Sequence, residues 1–358
     1  MENWYNADTS EINTELPVEL TMKIIELVYH LPDGRPDVQM LSACSLVCKQ
    51  WFGLARPLLY RYLAVGDFTS PERIRHLPFD KAIVLLRGPG NLGTCVRSIR
   101  MHIDASGACF TEFITILSHC PRVYRLDLEV TLHWFTSREL EQIAALPVRI
   151  RALELTMGSP ASPVLYQLLK VWPSIQFLYI NTEVIAAPPL YSPSFTLYEL
   201  STRRSLPVQV FRWLLPPLQD GKHTPDLRVL DCWDPPSDEI SHVIAEYAPH
   251  VRSLRLVHPP KHDFLDDFTA LEEFTLRSVP DLFPLPPLPQ TVQHLHVHSF
   301  IVPTGTFLQS LRYVIDAIKA LPRLRFVTVN QPIAQRHDFG DLVRACEEQA
   351  VEMVVDPA

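Results

Sequence analysis

Glycine is scarce in this 358-residue chain: 11 residues, about 3% against an average near 7%. A chain so poor in glycine is not built around phosphate-cradling loops. Basic charge is not in excess either. The 32 Lys and Arg face 40 Asp and Glu, a formal charge of −8, which gives no electrostatic footprint of a nucleic-acid binder. No apolar run approaches the roughly 18–20 residues of a membrane span; AIVLL at 82–86 is a typical maximum. The start, MENWYNADTSEIN, has neither a basic nor an apolar stretch, so no secretory signal is expected. Seven scattered cysteines form no CxxC pair, and no Asn-x-Ser/Thr acceptor occurs. Reduced thiols in a cytoplasmic and/or nuclear protein are the expectation. Gly-x-Ser-x-Gly, Walker and HExxH patterns are missing, and with them any visible catalytic site.

What is present is apolar and proline-rich. Apolar residues make up 47% of the chain and charged ones 20%, enough to bury a sizeable core and too apolar for intrinsic disorder. The 33 prolines call for many rigid connectors between short elements. Residues 1–12 read as a disordered tail. Residues 14–29 then read as a helix, with Thr14 as cap, Pro17 in the first turn, and Leu20, Ile24, Leu27 and Val28 as one apolar stripe. Breakers Pro32, Gly34 and Pro36 precede a second helical stretch from about Asp37, on which Leu41, Cys44, Val47, Cys48 and Trp51 share a face. A helical unit this small cannot hide all these groups, so partner helices or the next domain should cover the remainder.

Leu16-Pro17-x-Glu19-Leu20, Ile24-Ile25, Leu41 and Ser45-x-Val47-Cys48-Lys49-x-Trp51 together resemble the F-box motif. That resemblance implies a three-helix module over residues 13–59 that docks on the Skp adaptor of SCF-type ubiquitin ligases. Leu16, Pro17, Leu20 and Ile24 would meet the adaptor from the first helix, and Val47, Cys48 and Trp51 from the last. The intervening HLPDGRPDVQM is several residues longer than the family usually carries, so the middle helix is expected to be displaced.

The rest of the chain repeats itself. A pattern apolar-x-x-apolar-x-apolar recurs as VRSIRM (96–101), VYRLDL (123–128), IRALEL (150–155), IQFLYI (175–180), FTLYEL (195–200), LRVLDC (227–232), VRSLRL (251–256), LEEFTL (271–276), VQHLHV (292–297) and LRFVTV (324–329), with an earlier copy, YRYLAV, at 60–65. The starts average about 25 residues apart, inside the period of leucine-rich repeats, which these segments resemble. Longer gaps carry helical periodicity, as in SRELEQIAAL (137–146), while the three shortest carry prolines. An extended chain spans about 3.1 Å per residue and a helix 1.5 Å, so fewer residues make the same return if they stay extended. The expected fold class is α/β: an N-terminal three-helix F-box, then over residues 60–358 a leucine-rich-repeat solenoid, a parallel-strand arc with a mixed helical and extended outer face. The family's asparagine ladder is missing, since Asp104, Thr131, Gly158 and Pro259 stand at its positions, so the turns must close otherwise. DFGDLVRACEEQAVEMVV reads as a closing helix and strand.

Several candidate sites weaken on inspection. Gly88-Pro89-Gly90-Asn91-Leu92-Gly93 satisfies G-x-G-x-x-G, but a strand-like TCVRSIRMHI follows where a dinucleotide site needs a helix. Cys44 and Cys48, four apart on one helix face, lack further ligands. His294, His296 and His298 read as a solvent-facing row, and PLPPLP at 284–289 as scaffold. The remaining candidate is the concave strand face, where Arg100, Arg125, Asp127, Glu129, Glu154, Phe177, Tyr179, Asp231, Trp233, Arg255, Arg277, His296 and Phe326 alternate with core positions. Arg100, Arg125, Phe177, Tyr179, Trp233, Arg255, Arg277 and His296 are the expected contacts to a target protein, on the aromatic-plus-arginine chemistry of interface anchors. The whole resembles the large fungal F-box sets and is expected to be the substrate-recognition subunit of an SCF-type ligase, non-catalytic, without cofactor or metal. Its expected partners are a Skp-type adaptor, the cullin core and an unknown protein target, with no nucleic acid and no membrane. The alternative is a non-ligase F-box scaffold.

Overall fold

The computed structural model describes residues 16–29, 37–66, 77–88, 90–104, 107–218, 226–234, 236–261, 263–278, 285–299 and 311–356. The expected tail, Thr14, and most of the long segment between the first helices lie outside them. Two compact units divide the chain, Met1–Tyr62 and Leu63–Ala358.

Three helices make the first unit: α1 (Val18–Leu27), α2 (Val38–Ser45) and α3 (Lys49–Leu59). Pro17 is the residue before α1 and not its first turn; its carbonyl accepts from the Thr21 amide and hydroxyl. Asp37 caps α2 by accepting from the Met40 amide at 2.9 Å, satisfying one of the free donors of a helix start. The core is Ile25, Tyr29, Leu41, Cys44 and Ala55, with Val28, Trp51, Leu54, Leu58 and Leu59 packed against it. The face expected to run from Leu41 to Trp51 is broken. The helix stops at Ser45, and Cys48 takes an extended conformation as the residue preceding α3. Leu41 and Cys44 therefore point inward while Val47 and Cys48 are exposed, and the two thiols share no helix face.

The second unit is built on a sheet of twelve strands in sequence order: β1 (Tyr62–Val65), β2 (Ser98–Ile103), β3 (Arg125–Val130), β4 (Ala152–Met157), β5 (Phe177–Ile180), β6 (Glu199–Thr202), β7 (Val229–Cys232), β8 (Ser253–Leu256), β9 (Glu273–Leu276), β10 (His294–Val297), β11 (Phe326–Asn330) and β12 (Glu352–Asp356). The pairings from β2 to β12 are parallel. Ten of the eleven expected repeat copies hold their register, each strand opening two residues into its motif. The exception is FTLYEL. Leu178 pairs with Leu200 and Ile180 with Thr202, so the true copy is LYELST, shifted by two. Strand order equal to chain order is what a solenoid produces, each repeat pairing only with its neighbours.

Longer returns are helical: α4 (Phe79–Arg87), α5 (Gly107–His119), α6 (Ser137–Ala144), α7 (Val164–Val171), α8 (Val208–Leu214), α9 (Asp238–Ala245), α10 (Arg312–Ala320), α11 (Gln331–Ala334) and α12 (Phe339–Glu348). The short proline-rich returns after β5, β8 and β9 contain no helix among their described residues. Thr136 and Glu139 close a reciprocal capping box at the start of α6. The closing helix and strand are α12 and β12. Alternate strand residues, such as Ile99, Met101 and Ile103 of β2, sink into one continuous core with the helices.

Backbone bonds join the repeats at both ends of the strands; after them, where the asparagine ladder is missing, the carbonyls of Ile103, Val130, Leu155 and Ile180 accept from the amides of Thr131, Gly158, Asn181 and Arg203. Just before each strand one carbonyl accepts two consecutive amides of the next repeat: Arg97 O from Tyr124 and Arg125, Tyr124 O from Arg151 and Ala152, Arg151 O from Gln176 and Phe177, and so on to Gln293 O. These bonds span 2.7 to 3.2 Å and use both carbonyl lone pairs. Asn330 adds a side-chain bridge, exchanging two hydrogen bonds with the Ser299 backbone.

The G-x-G-x-x-G segment is a repeat connector. AIVLL before it lies in α4, not a strand, and a 3-10 turn at Leu92–Thr94 leads into β2. Gly90 and Asn91 turn the chain with φ of +113° and +49°. Gly93 serves packing. A Cβ there would stand 1.9 Å from the His119 carbonyl oxygen at the end of α5. The carbonyl is backbone and a Cβ is held rigidly by its own backbone, so neither can swing aside, and Gly93→Ala is expected to lower stability by at least about 1–3 kcal/mol. An unchanged thermal melt would refute the close approach.

Candidate functional site

The first unit presents an apolar surface it does not bury. Helix α1 carries Ile24 and Ile25 side by side, and only Ile25 enters the core. The stripe points out: Leu20 is 50% exposed and Leu27 75%, with only Val28 of the four expected residues packed inward. Leu16 (45%), Val47 (62%) and Leu46 (85%) are exposed as well, as are Pro17 and Cys48. Gln50 Nε2 donates to the Leu16 carbonyl at 3.4 Å, which sets the Leu-Pro start of α1 beside the start of α3. Six of the seven candidate adaptor residues therefore lie on accessible surface. Trp51 is half-buried against the bundle core. More than half of the large exposed apolar side chains among the described residues belong to this small unit. A bundle gains nothing by leaving them in water, and such a patch marks a surface for another molecule.

On the strand face every candidate arginine already has a carboxylate. Arg100 Nε lies 3.3 Å from Asp127, Arg125 3.1 Å from Glu154, Arg255 3.5 Å from Glu199, and Arg277 2.7 Å from Asp231. The last pair is bidentate, with Nη2 at 2.8 Å from the second oxygen, and Asp231 is buried. Trp233 sits between two guanidinium groups, Arg203 at 4.5 Å and Arg277 at 5.3 Å from its ring. Phe177 packs on Tyr198, and Arg125 lies over the Tyr179 ring at 5.8 Å. Burial pushes the Tyr179 hydroxyl up, and nearby Glu199 pushes it further. Burial also raises the Glu199 carboxyl, against the pull of Arg255 and of the Tyr179 hydrogen bond. This face is a self-neutralised network with aromatic inserts.

The histidine row is not solvent-facing. His294, His296 and His298 are half-buried, and the first two rings stack at 3.7 Å. Burial holds all three imidazoles below their usual pKa, His296 at about 4, so they are neutral at pH 7. Glu273 of β9 joins His294 and His296, with one potential ligand atom from each residue within 4.8 Å of the others. His294 Nε2 already shares a hydrogen bond with Thr328 at 2.8 Å. The buried thiols are poor nucleophiles: burial lifts Cys120 and Cys232 to about 12 and Cys346 to about 11.

A site that the sequence reading passed over lies at the N-terminal rim of β2 to β5. There a groove of about 600 Å³ gathers Arg97, Arg122, Arg149 and Arg151 with Tyr124 and Phe177. Its signal was present in the repeats, as an arginine just after the first apolar position of VRSIRM and IRALEL.

Comparison with known proteins agrees with the first unit. No curated protein matches the chain. Among solved structures, TLR13 in its complex with ssRNA13 is 12% identical with a TM-score of 0.26; the match covers 76% of this chain and only 30% of the length of that one. A Bacteroides fragilis protein is 11% identical with a TM-score of 0.34, over 78% of this chain and 72% of that one. Residues 14–65 match the F-box-like family, and F-box domains typically bind Skp-type adaptors. The chain thus joins an F-box-like domain to an α/β solenoid of parallel strands.

Proposed function

We propose that this protein is the substrate-recognition subunit of an SCF-type ubiquitin ligase. The F-box-like unit docks on a Skp-type adaptor, the adaptor ties it to the cullin core, and the repeats hold a target protein. One observation carries this reading: the apolar side chains of Leu16, Leu20, Ile24 and Val47 stand in water on a unit that matches the F-box-like family. Mechanism is by proximity. Holding the target beside an associated conjugating enzyme raises the effective concentration at its lysines, so this chain supplies no catalytic group. Free cysteines support a cytoplasmic or nuclear setting.

The test is a reconstituted ligase containing adaptor, cullin core and this chain. Ubiquitin transfer to proteins captured by the repeats is the expected result. Stable adaptor binding with no transfer to any captured protein would leave the alternative, an F-box scaffold outside ligase action.

A further inference from the structure

At β9 and β10 histidine takes the place that arginine holds on the rest of the strand face. Phe274, Leu276, Leu295 and Val297 enter the core, which turns Glu273, His294 and His296 onto the opposite face. Parallel pairing sets His294 directly beside Glu273, with His296 two residues further along the same strand. One potential ligand atom from each of the three lies within 4.8 Å of the others. Asp127, Glu154, Glu199 and Asp231 on β3, β4, β6 and β7 each meet an arginine, but no ion pair engages Glu273 among the described residues. A half-buried carboxylate without a cation, facing two imidazoles, is a donor set for a positive ion.

The spacing is within reach of coordination. An ion at the centre of a triangle with 4.8 Å sides stands about 2.8 Å from each corner, against about 2.0–2.2 Å for zinc bound by His nitrogen and carboxylate oxygen. Side-chain shifts of under about 1 Å close that gap. Outer support for the ligands is present as well. Thr328 of β11 shares a hydrogen bond with His294 Nε2 at 2.8 Å, which fixes the ring; with Nε2 as donor, Nδ1 keeps its lone pair for a metal. Ser253 stands opposite Glu273 in register on β8, and its buried hydroxyl has no partner among the described residues, so it is free to donate to the carboxylate. Phe326, with its ring 5.6 Å from that of His294, adds an apolar wall.

We propose that Glu273, His294 and His296 bind one divalent transition-metal ion, with zinc as the expected occupant. Two imidazoles set the class, because nitrogen ligands favour zinc, copper, nickel or iron over the oxygen-seeking magnesium and calcium. Two His and one Glu with an open fourth position are a set that zinc takes, and the open position falls to water or to a side chain of a bound partner. The site stands independently of the ligase reading.

The probe is the metal alone. The full chain, free of any affinity tag and kept reduced, is titrated with zinc by isothermal titration calorimetry, with magnesium as comparison, and with cobalt(II) by visible absorption. One zinc per chain is expected, bound at least about a thousandfold tighter than magnesium. Cobalt(II) is expected to show the visible bands of a tetrahedral site without the near-ultraviolet charge transfer of a thiolate ligand, which sets the exposed Cys48 aside. Glu273→Gln and His296→Gln should each weaken zinc binding by at least about a hundredfold, and Thr328→Val, which removes only an outer partner, by about tenfold. His258→Gln, at an exposed histidine outside the cluster, should leave it unchanged. Melting curves in EDTA check that each variant is folded before metal is added, and Glu273→Gln keeps both size and polarity. No zinc uptake by the wild-type chain, equal affinity for magnesium, a thiolate band with cobalt(II), or full zinc affinity in folded Glu273→Gln would each overturn the proposal.

Discussion

Changing Leu20, Ile24 and Val47 together to alanine is expected to abolish co-purification with a Skp-type adaptor while leaving the chain folded. All three side chains are exposed in the free chain, so their removal takes little from its own core. In a docked state each would be buried, and full burial of such a side chain contributes about 1.5–3 kcal/mol. Losing three of them weakens binding by well over about a hundredfold, since every 1.4 kcal/mol is a factor of ten. Ile25→Ala supplies the contrast. Its side chain is fully buried in the bundle, so truncation should destabilise the unit by about 2–5 kcal/mol and lose adaptor binding only through unfolding. Trp51 sits between these cases, half-buried against the same core, and its substitution mixes docking with folding. Adaptor recovery unchanged in the triple variant, with circular dichroism confirming the helices, would remove α1 and the α2–α3 turn from the docking surface.

Ile24 and Ile25 also show where sequence reading runs out. Apolar periodicity marks a stripe but does not say whether it faces the core or a partner, and here the outward one was the more regular. The solenoid was far more legible, because its signal repeats ten times and each copy checks the others. Its one slip, at 195–200, arose because the pattern is satisfied from Phe195 and not from Leu197. The true copy ends in Thr202 where an apolar residue was sought. The named strand-face residues lie outside the hydrophobic core cluster, with Asp231 buried among them, and their pairing was invisible in the sequence. Asp231 and Arg277 are 46 positions apart and meet only because β7 and β9 flank the same strand. The rim groove was hidden for the opposite reason. Arg122 and Arg149 hold one motif position a repeat apart, and Arg97 and Arg151 another two repeats apart, columns that show only when copies are stacked on one another.

Breaking the Asp231–Arg277 pair should be the most damaging single change on the strand face. Arg277→Ala leaves the Asp231 carboxylate buried without the guanidinium that meets both its oxygens, and removes one of the two cations against Trp233. Removing one partner of a buried pair destabilises by about 3–5 kcal/mol. For a unit of this size that lowers the melting temperature by roughly 6–20 °C, concentrated in the repeats around β7 to β9 because solenoid repeats depend on their neighbours. Arg255→Ala, one strand away, is expected to be milder. Its partner Glu199 already has a raised pKa from burial, and losing Arg255 raises it further, so the carboxyl can take a proton instead of standing as an unpaired charge. The Arg255→Ala loss should therefore shrink as pH falls toward the Glu199 pKa, where protonation removes the charge the arginine was needed to balance. Replacing both members, Asp231→Leu with Arg277→Met, should recover much of the Arg277→Ala loss, because an apolar pair carries no desolvation penalty. Equal destabilisation by Arg277→Ala and Arg255→Ala at neutral pH would show that burial of the carboxylate, and not the geometry of its partner, sets the stability of this face.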